Sequence, residues 1–386
     1  MAELLSQQHV RALRTEAQGL NAPDAGLGSD VSAVAARMLA VQGQDWHASR
    51  WALGRRVAGA SQQSVIDALN AGKLVRSWPM RGTIHLVAAT DIGWLQSLTN
   101  KRALASAPQR RKILGMSDEI LDQLVGVSLD ALRIAAAGGL DRNELSDAWT
   151  AAGIVWQSNW RYHLIWWLCQ NGLATLGPVR DLAEPRLVLA AGWLPTARAL
   201  DEDEALLELA ARYPVARGPI RAKDIAWWSG LGMREVKRGL TAAVESGRLA
   251  TARFADEHGE AIPGAAGEAW LAPSLLDAEI TPPSEALLLA PFDEHLLGYS
   301  IREPQLIPGG IDYVVPGKNG VFAGTVIRDG QTIATWKRDP KQRERVYLFP
   351  FPGNEVSARE LERDVARWSV FHDQEAREIT VGAVSA

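Results

Sequence analysis

The sequence predicts an α+β chain, and two observations carry that prediction. A helix-like run ends on a small residue and glycine and passes at once into a short apolar strand, three times over. The instances are Asn70-Ala71-Gly72-Lys73-Leu74-Val75, Gln170-Asn171-Gly172-Leu173-Ala174 and Glu245-Ser246-Gly247-Arg248-Leu249-Ala250. From about Pro273 the texture shifts to short apolar stretches separated by turns, one of them an Asp-Gly pair suited to a hairpin. Hydrophobic residues make up 47% and charged residues 22% of the 386, values of an ordinary globular chain long enough for two to four domains.

The first recurrence is the clearest. Val34, Met38 and Val41 repeat at helical spacing, so a helix is expected over Val31–Val41 with Ser29 or Asp30 as N-cap. A second helix is expected over Gln62–Asn70, closed by Gly72 in the left-handed conformation that ends helices. Leu74–Trp78 and Thr83–Val87 then form two strands around Pro79-Met80-Arg81-Gly82. Helices are expected in the same way over Arg142–Ala152 and Asn159–Asn171. In the third recurrence they fall over Ala222–Ser229 and Met233–Ser246, after an amphipathic helix at Asp201–Arg212 whose acidic first turn suits the helix dipole. Helix, turn, helix and strand pair is the winged helix-turn-helix outline. Three tandem modules are therefore expected over residues 1–90, 91–195 and 196–275, followed by an α+β domain over 276–386. In that last domain Leu287–Leu289, Val321–Ile327, Thr332–Trp336, Val346–Phe351 and Ile379–Val384 read as strands and Ser357–Trp368 as a helix. Arg328-Asp329-Gly330-Gln331 turns the hairpin, and residues 304–320 read as a loop.

Composition excludes several classes. No apolar stretch reaches the roughly 20 residues that span a bilayer, and the first residues lack a signal-peptide pattern. A single cysteine, Cys169 in an apolar Trp-rich run, fits a buried thiol in a reducing, cytoplasmic setting. Phosphate-loop, dinucleotide, nucleophile-elbow and zinc-protease motifs are absent, and seven scattered histidines offer no metal-ligand spacing. No cofactor or metal is expected. Net charge is −4, yet Lys101, Arg102, Arg110, Arg111 and Lys112 form one basic block. Lys337, Arg338, Lys341, Arg343 and Arg345 form another, so a basic groove and solvated helix faces are both open readings. Most of the fifteen tryptophans read as core packing.

The candidate chemistry lies in Val41-Gln42-Gly43-Gln44-Asp45. On a continuous helix Gln42 and Gln44 would point nearly opposite ways, and a chain bend at Gly43 would bring the amides together. That segment, the stretch Trp78–Val87 and Leu289-Ala290-Pro291-Phe292-Asp293 together resemble the AlkZ-like (YcaQ-like) winged-helix DNA glycosylases, in the same order and over most of the chain. The family's motif is Gln-aliphatic-Gln, so Gln42 and Gln44 match while Gly43 departs from it.

The resemblance implies a monofunctional DNA glycosylase that hydrolyses the N-glycosidic bond of N7- or N3-alkylated purines, bulky or cross-linked adducts included. Gln42 and Gln44 would flank the attacking water. Arg81, His85, Lys337 and Arg338 become candidate DNA contacts, Trp46 a candidate wall of the lesion pocket, and Phe292 and Asp293 a structural motif. The expected partner is double-stranded DNA carrying alkylated purines, met by a monomer associated with a bacterial nucleoid. Two rivals keep part of this reading: a non-catalytic winged-helix DNA-binding protein, as regulator or damage sensor, and a protein-interaction scaffold.

Overall fold

The computed structural model describes residues 3–22, 26–196, 198–276, 278–282, 284–342, 344–374 and 378–382. Arg343 and Val384, named above, lie outside the described residues. The chain forms two compact units, one made of Met1–Gln63 with Leu206–Ala386 and the other of Ser64–Ala205. The segments 1–90 and 196–275 each straddle a boundary between units, because helices Gln62–Asn70 and Glu202–Arg217 run across the two cut points.

The three recurrent glycines end helices as expected: Gly72, Gly172 and Gly247 have φ of 65°, 67° and 70°. Helices Gln62–Asn70, Trp160–Gln170 and Met233–Glu245 precede them. In the Ser64–Ala205 unit, Leu74–Met80 and Thr83–Ala88 pair antiparallel around Arg81-Gly82, whose φ values of 51° and 66° suit a tight hairpin turn. Ala174–Leu176 and Leu187–Leu189 extend the sheet on the far side of Leu74–Met80. Three helices not expected above, Ile92–Ala105, Ala107–Leu114 and Asp118–Ala135, pack here with Arg142–Ala151 and Trp160–Gln170. Trp78, Trp149, Trp160, Trp166 and Cys169 lie in their shared core, and burial pushes the Cys169 thiol pKa up. Of the first basic block, Lys101, Arg102, Arg110 and Lys112 are exposed, whereas Arg111 is buried over Trp167 and paired with Asp118 at 2.9 Å.

The discontinuous unit carries two sheets. Leu4–Leu5 runs parallel to Ala250–Phe254, which pairs antiparallel with Glu268–Leu271 after helices Ala222–Ser229 and Met233–Glu245. The second sheet orders Glu378–Val381, Arg345–Pro350, Gln331–Arg338, Gly324–Arg328 and Leu287–Leu289. Its hairpin turns where the sequence indicates, with Arg328 opposite Gln331 and left-handed Asp329 and Gly330 between them (φ 53° and 70°). Helix Ala358–His372 is anchored to the edge strand through Asp364, which accepts from the Leu288 amide and pairs with Arg55 at 2.7 Å. Trp51 and Trp336 donate their indole N–H groups to the carbonyls of Leu288 and Leu289 at 3.2 and 2.7 Å. The short strand Leu287–Leu289 is thereby tied to helix Trp46–Gly54, which follows the two glutamines directly. No helix among the described residues is long and apolar enough to cross a membrane.

Candidate active site

Helix Val31–Met38 starts at Asp30, whose carboxylate accepts from the amides of Ser32 and Ala33 at 2.8 and 3.0 Å. It stops at Met38 rather than Val41, because Leu39 takes a positive φ of 62° in a tight turn closed by the Ala40 amide on the Met38 carbonyl at 2.7 Å. The chain is extended by Val41–Gln42, and the next helix begins at Trp46 with Asp45 as N-cap, accepting from the Ala48 amide at 2.9 Å. The expected bend at Gly43 after a helix is therefore corrected. Gln42 already sits on extended backbone, and the chain bends at Gln44 and Asp45 before the next helix.

Gln42 Nε2 donates to Gln44 Oε1 at 2.8 Å. Gln42 is only 5% exposed and Gln44 is exposed, so the pair reaches from the interior to the surface. Gln42 Oε1 is buried and has no hydrogen-bond partner within the protein. The arrangement leaves one uncommitted amide carbonyl held in a fixed direction by its own N–H₂ group.

The backbone beneath is pinned from afar. The Gln42 N–H donates to Glu294 Oε1 at 3.1 Å, and Glu294 is wholly buried. Glu294 belongs to a short helix, Glu294–Leu297, whose N-cap Asp293 accepts from the His295 amide. Asp293 also takes both guanidinium nitrogens of Arg56, at 2.8 and 3.0 Å. Burial alone would raise the Asp293 pKa, but the adjacent Arg56 charge and its hydrogen bonds outweigh it and hold the carboxyl below its usual range. Phe292 turns the chain into this cap at φ 60°. Phe292 and Asp293, expected as a structural motif, thus bend and cap the segment that presents Glu294.

A cavity of about 720 Å³ begins one residue past Gln44, lined among others by Asp45, His47, Phe292, Trp336, Lys337 and Arg338. His47 stacks on His372, ring centroids 4.2 Å apart and planes within 6°, and burial first, then His47, lowers the His372 pKa to about 3. Trp46, expected on the pocket wall, is 7% exposed and lies under the Arg50 guanidinium at 4.8 Å; the residue facing the cavity is its neighbour His47. The N-cap at Asp45 sets that phase, because the first helical residue turns inward and the next outward.

Lys337 is exposed with its ammonium 5.2 Å from the Phe349 ring, and Arg338 lies 5.0 Å over Trp368 while donating to Gln374. Arg81 occupies the hairpin turn of the other unit, half-buried. His85 is 1% exposed with Nδ1 3.0 Å from the Thr83 carbonyl, so its ring braces that hairpin from inside. Among the described residues, no cluster of three or more His, Cys, Asp or Glu has the arrangement to hold a metal ion. The run Asp293-Glu294-His295 reads in the sequence as capping or salt-bridging, which Asp293 and Glu294 do, but their link to Gln42 and the partners Arg217 and Trp228 were missed. The only local signal was three successive polar residues, Asp293-Glu294-His295, in an apolar setting.

The whole chain shares its fold with a solved DNA glycosylase, AlkZ of Streptomyces sahachiroi. The TM-score is 0.76 at 20% identity, covering 98% of this chain and 99% of that one. A curated relative from the same organism, an interstrand DNA cross-link repair glycosylase, is 22% identical over 380 residues, 94% of this chain and 95% of its own length. A family model for the DNA glycosylase AlkZ-like proteins matches residues 35–371, and the chain belongs to that family.

Proposed function

We propose that this chain is a monomeric, monofunctional glycosylase that releases N7- or N3-alkylated purines from double-stranded DNA. The observation that carries the reading is the bonded Gln42–Gln44 pair with the Gln42 carbonyl left over. An alkylated purine is cationic, so its bond to deoxyribose is already weakened and needs little acid catalysis. Gln42 and Gln44 together hold the attacking water and aim its oxygen at the sugar, Gln44 from the exposed end of the pair. Amide dipoles also favour the positive charge that develops on the sugar ring. The water oxygen bonds to C1′, the C1′–N pair leaves with the purine and neutralises it, and one proton passes to solvent. No lysine attacks the sugar, so the abasic product stays unbroken.

The cavity past Gln44, about 720 Å³, is the proposed seat of the adduct, with His47 and Trp336 among its ring-bearing walls. Lys337 and Arg338 on one unit, and Arg81 on the other, are proposed phosphate contacts, which give affinity without sequence preference. His85 supports the Arg81 turn. The name of the Streptomyces relative adds cross-linked duplex to the substrates to offer.

The test is a duplex holding one N7-methylguanine, incubated with the protein and then treated with alkali. Nicks at the lesion only after alkali support the reading, with much slower release of uracil, a poor leaving group that an amide cannot protonate. Equal release of uracil and N7-methylguanine refutes the mechanism. Gly43, where the family pattern has an aliphatic residue, favours one second reading, a DNA-binding damage sensor without activity. Binding without base release would establish it.

A further inference from the structure

We infer that Glu294 is a positioning residue for the reaction, acting on Gln42 through a buried clamp that it forms with Arg217 and Trp228; this rests on the glycosylase reading above. The two oxygens of Glu294 divide their work. Oε1 accepts the Gln42 N–H at 3.1 Å, while Oε2 accepts from Arg217 Nη2 at 2.6 Å and Trp228 Nε1 at 3.2 Å. Arg217 then reaches past Glu294 to the carbonyls of Met38 and Ala40, at 2.9 and 3.0 Å. Those two residues flank Leu39, whose positive φ of 62° is disfavoured for a leucine. One buried ion pair therefore holds both sides of the turn that ends the helix and the first peptide of the catalytic segment.

Stability alone gives weak grounds for such a device. A fully buried carboxylate and guanidinium lose their hydration, and apolar residues of similar volume commonly serve as well or better. Here Glu294 and Arg217 are both wholly buried, and the guanidinium also lies 4.7 Å from the Trp228 ring and 4.9 Å from the Tyr213 ring. The network has one outlet towards the chemistry, the Gln42 amide. Fixing that amide fixes the base of a side chain whose Nε2 is held by Gln44, and so fixes where Oε1 points. A displacement near 1 Å at such an oxygen costs a rate of about 100-fold.

The experiment compares wild type, Glu294→Gln and Glu294→Asp by single-turnover release of N7-methylguanine, affinity for undamaged duplex, and thermal melting. The glutamine turns an amide N–H₂ towards either Arg217 or Gln42. The aspartate keeps the charge but, one methylene shorter, reaches only one end of the clamp. Asp364→Asn, which breaks the Arg55 ion pair elsewhere in the same unit, is the stability control. The expected result is a rate per folded molecule lowered about 100-fold in the Glu294 variants at unchanged duplex affinity, and an unchanged rate per folded molecule in Asp364→Asn. Should Glu294→Gln not fold, Glu294→Asp decides the matter. Losses in rate and affinity that merely track the folded fraction overturn the positioning role, as does an unchanged rate. A wild type that binds duplex but releases no base overturns the glycosylase reading and this role together.

Discussion

The Gln42 side chain gives its N–H₂ to the Gln44 carbonyl at 2.8 Å, and that single bond makes the two glutamines unequal. Gln44 supplies an acceptor to its neighbour, and Gln42 retains a carbonyl with no protein partner. Gln42 is buried and Gln44 exposed, so the first is the oriented group and the second its support.

Unequal roles predict unequal tolerance. Gln44→Glu keeps an oxygen facing Gln42 Nε2 and is expected to retain base release within about tenfold, whereas Gln42→Leu and Gln44→Leu lose about 100-fold or more. Single-turnover release from N7-methylguanine duplex measures all three. Gln44→Glu falling as far as Gln44→Leu would show that the bond between the amides has no part in catalysis.

Lys337 is the exposed cation at the rim of the cavity, and its removal disturbs little packing. Lys337→Ala is expected to weaken duplex binding and to lower the slope of log affinity against log salt by about 1, one phosphate contact's worth. Titrations at several salt concentrations check it. An unaltered slope places the phosphate elsewhere.

His295 and His372 are among the buried histidines that make stability depend on pH. Burial first, with Arg56 and Arg14 assisting, lowers the His295 pKa to about 4 against the pull of Asp293, and the His372 pKa lies at about 3. The unfolded chain takes up these protons near its ordinary value of 6.5 while the folded chain refuses them, so acid favours unfolding. Stability is therefore full above about pH 6.5 and declines towards pH 4, by about 1.4 kcal/mol per pH unit for each histidine. Urea unfolding at about pH 7, 6 and 5 reads this directly. A curve that stays level over that range contradicts both buried neutral rings.

Asp293 couples a helix cap to the Arg56 charge, and neither side chain has access to solvent worth naming. Asp293→Asn removes the carboxylate paired with the guanidinium and is expected to destabilise the protein by about 3–5 kcal/mol. Chemical unfolding provides the number. A loss below about 1 kcal/mol means that water or another group replaces the carboxylate.

Much of the fold was legible because it is written in short spans. Gly72, Gly172 and Gly247 closed their helices, and Asp329-Gly330 turned its hairpin, since left-handed backbone is a choice made by one or two residues. Helix Asp118–Ala135 was not expected, although Leu121, Leu124, Ser128 and Leu132 are buried at helical spacing and Gly138-Gly139 follow its end, Gly139 at φ 58°. The candidate site was legible as a pair of residue types and no further. The sequence determined that two glutamines stand two apart after an expected helix, in the order of landmarks that marks the family; the capped helix Trp46–Gly54 that follows them was not expected.

Only the tertiary structure decided how those amides are held. The extended backbone at Gln42 depends on a carboxylate 252 residues away, and that carboxylate depends on an arginine 77 residues from it. Likewise it was the position of Asp45 within the packed unit that turned Trp46 inward and His47 towards the cavity. Periodicity and turn chemistry act over a few bonds of one chain segment. Partners of buried charges are selected by which segments pack together, and no local pattern carries that choice.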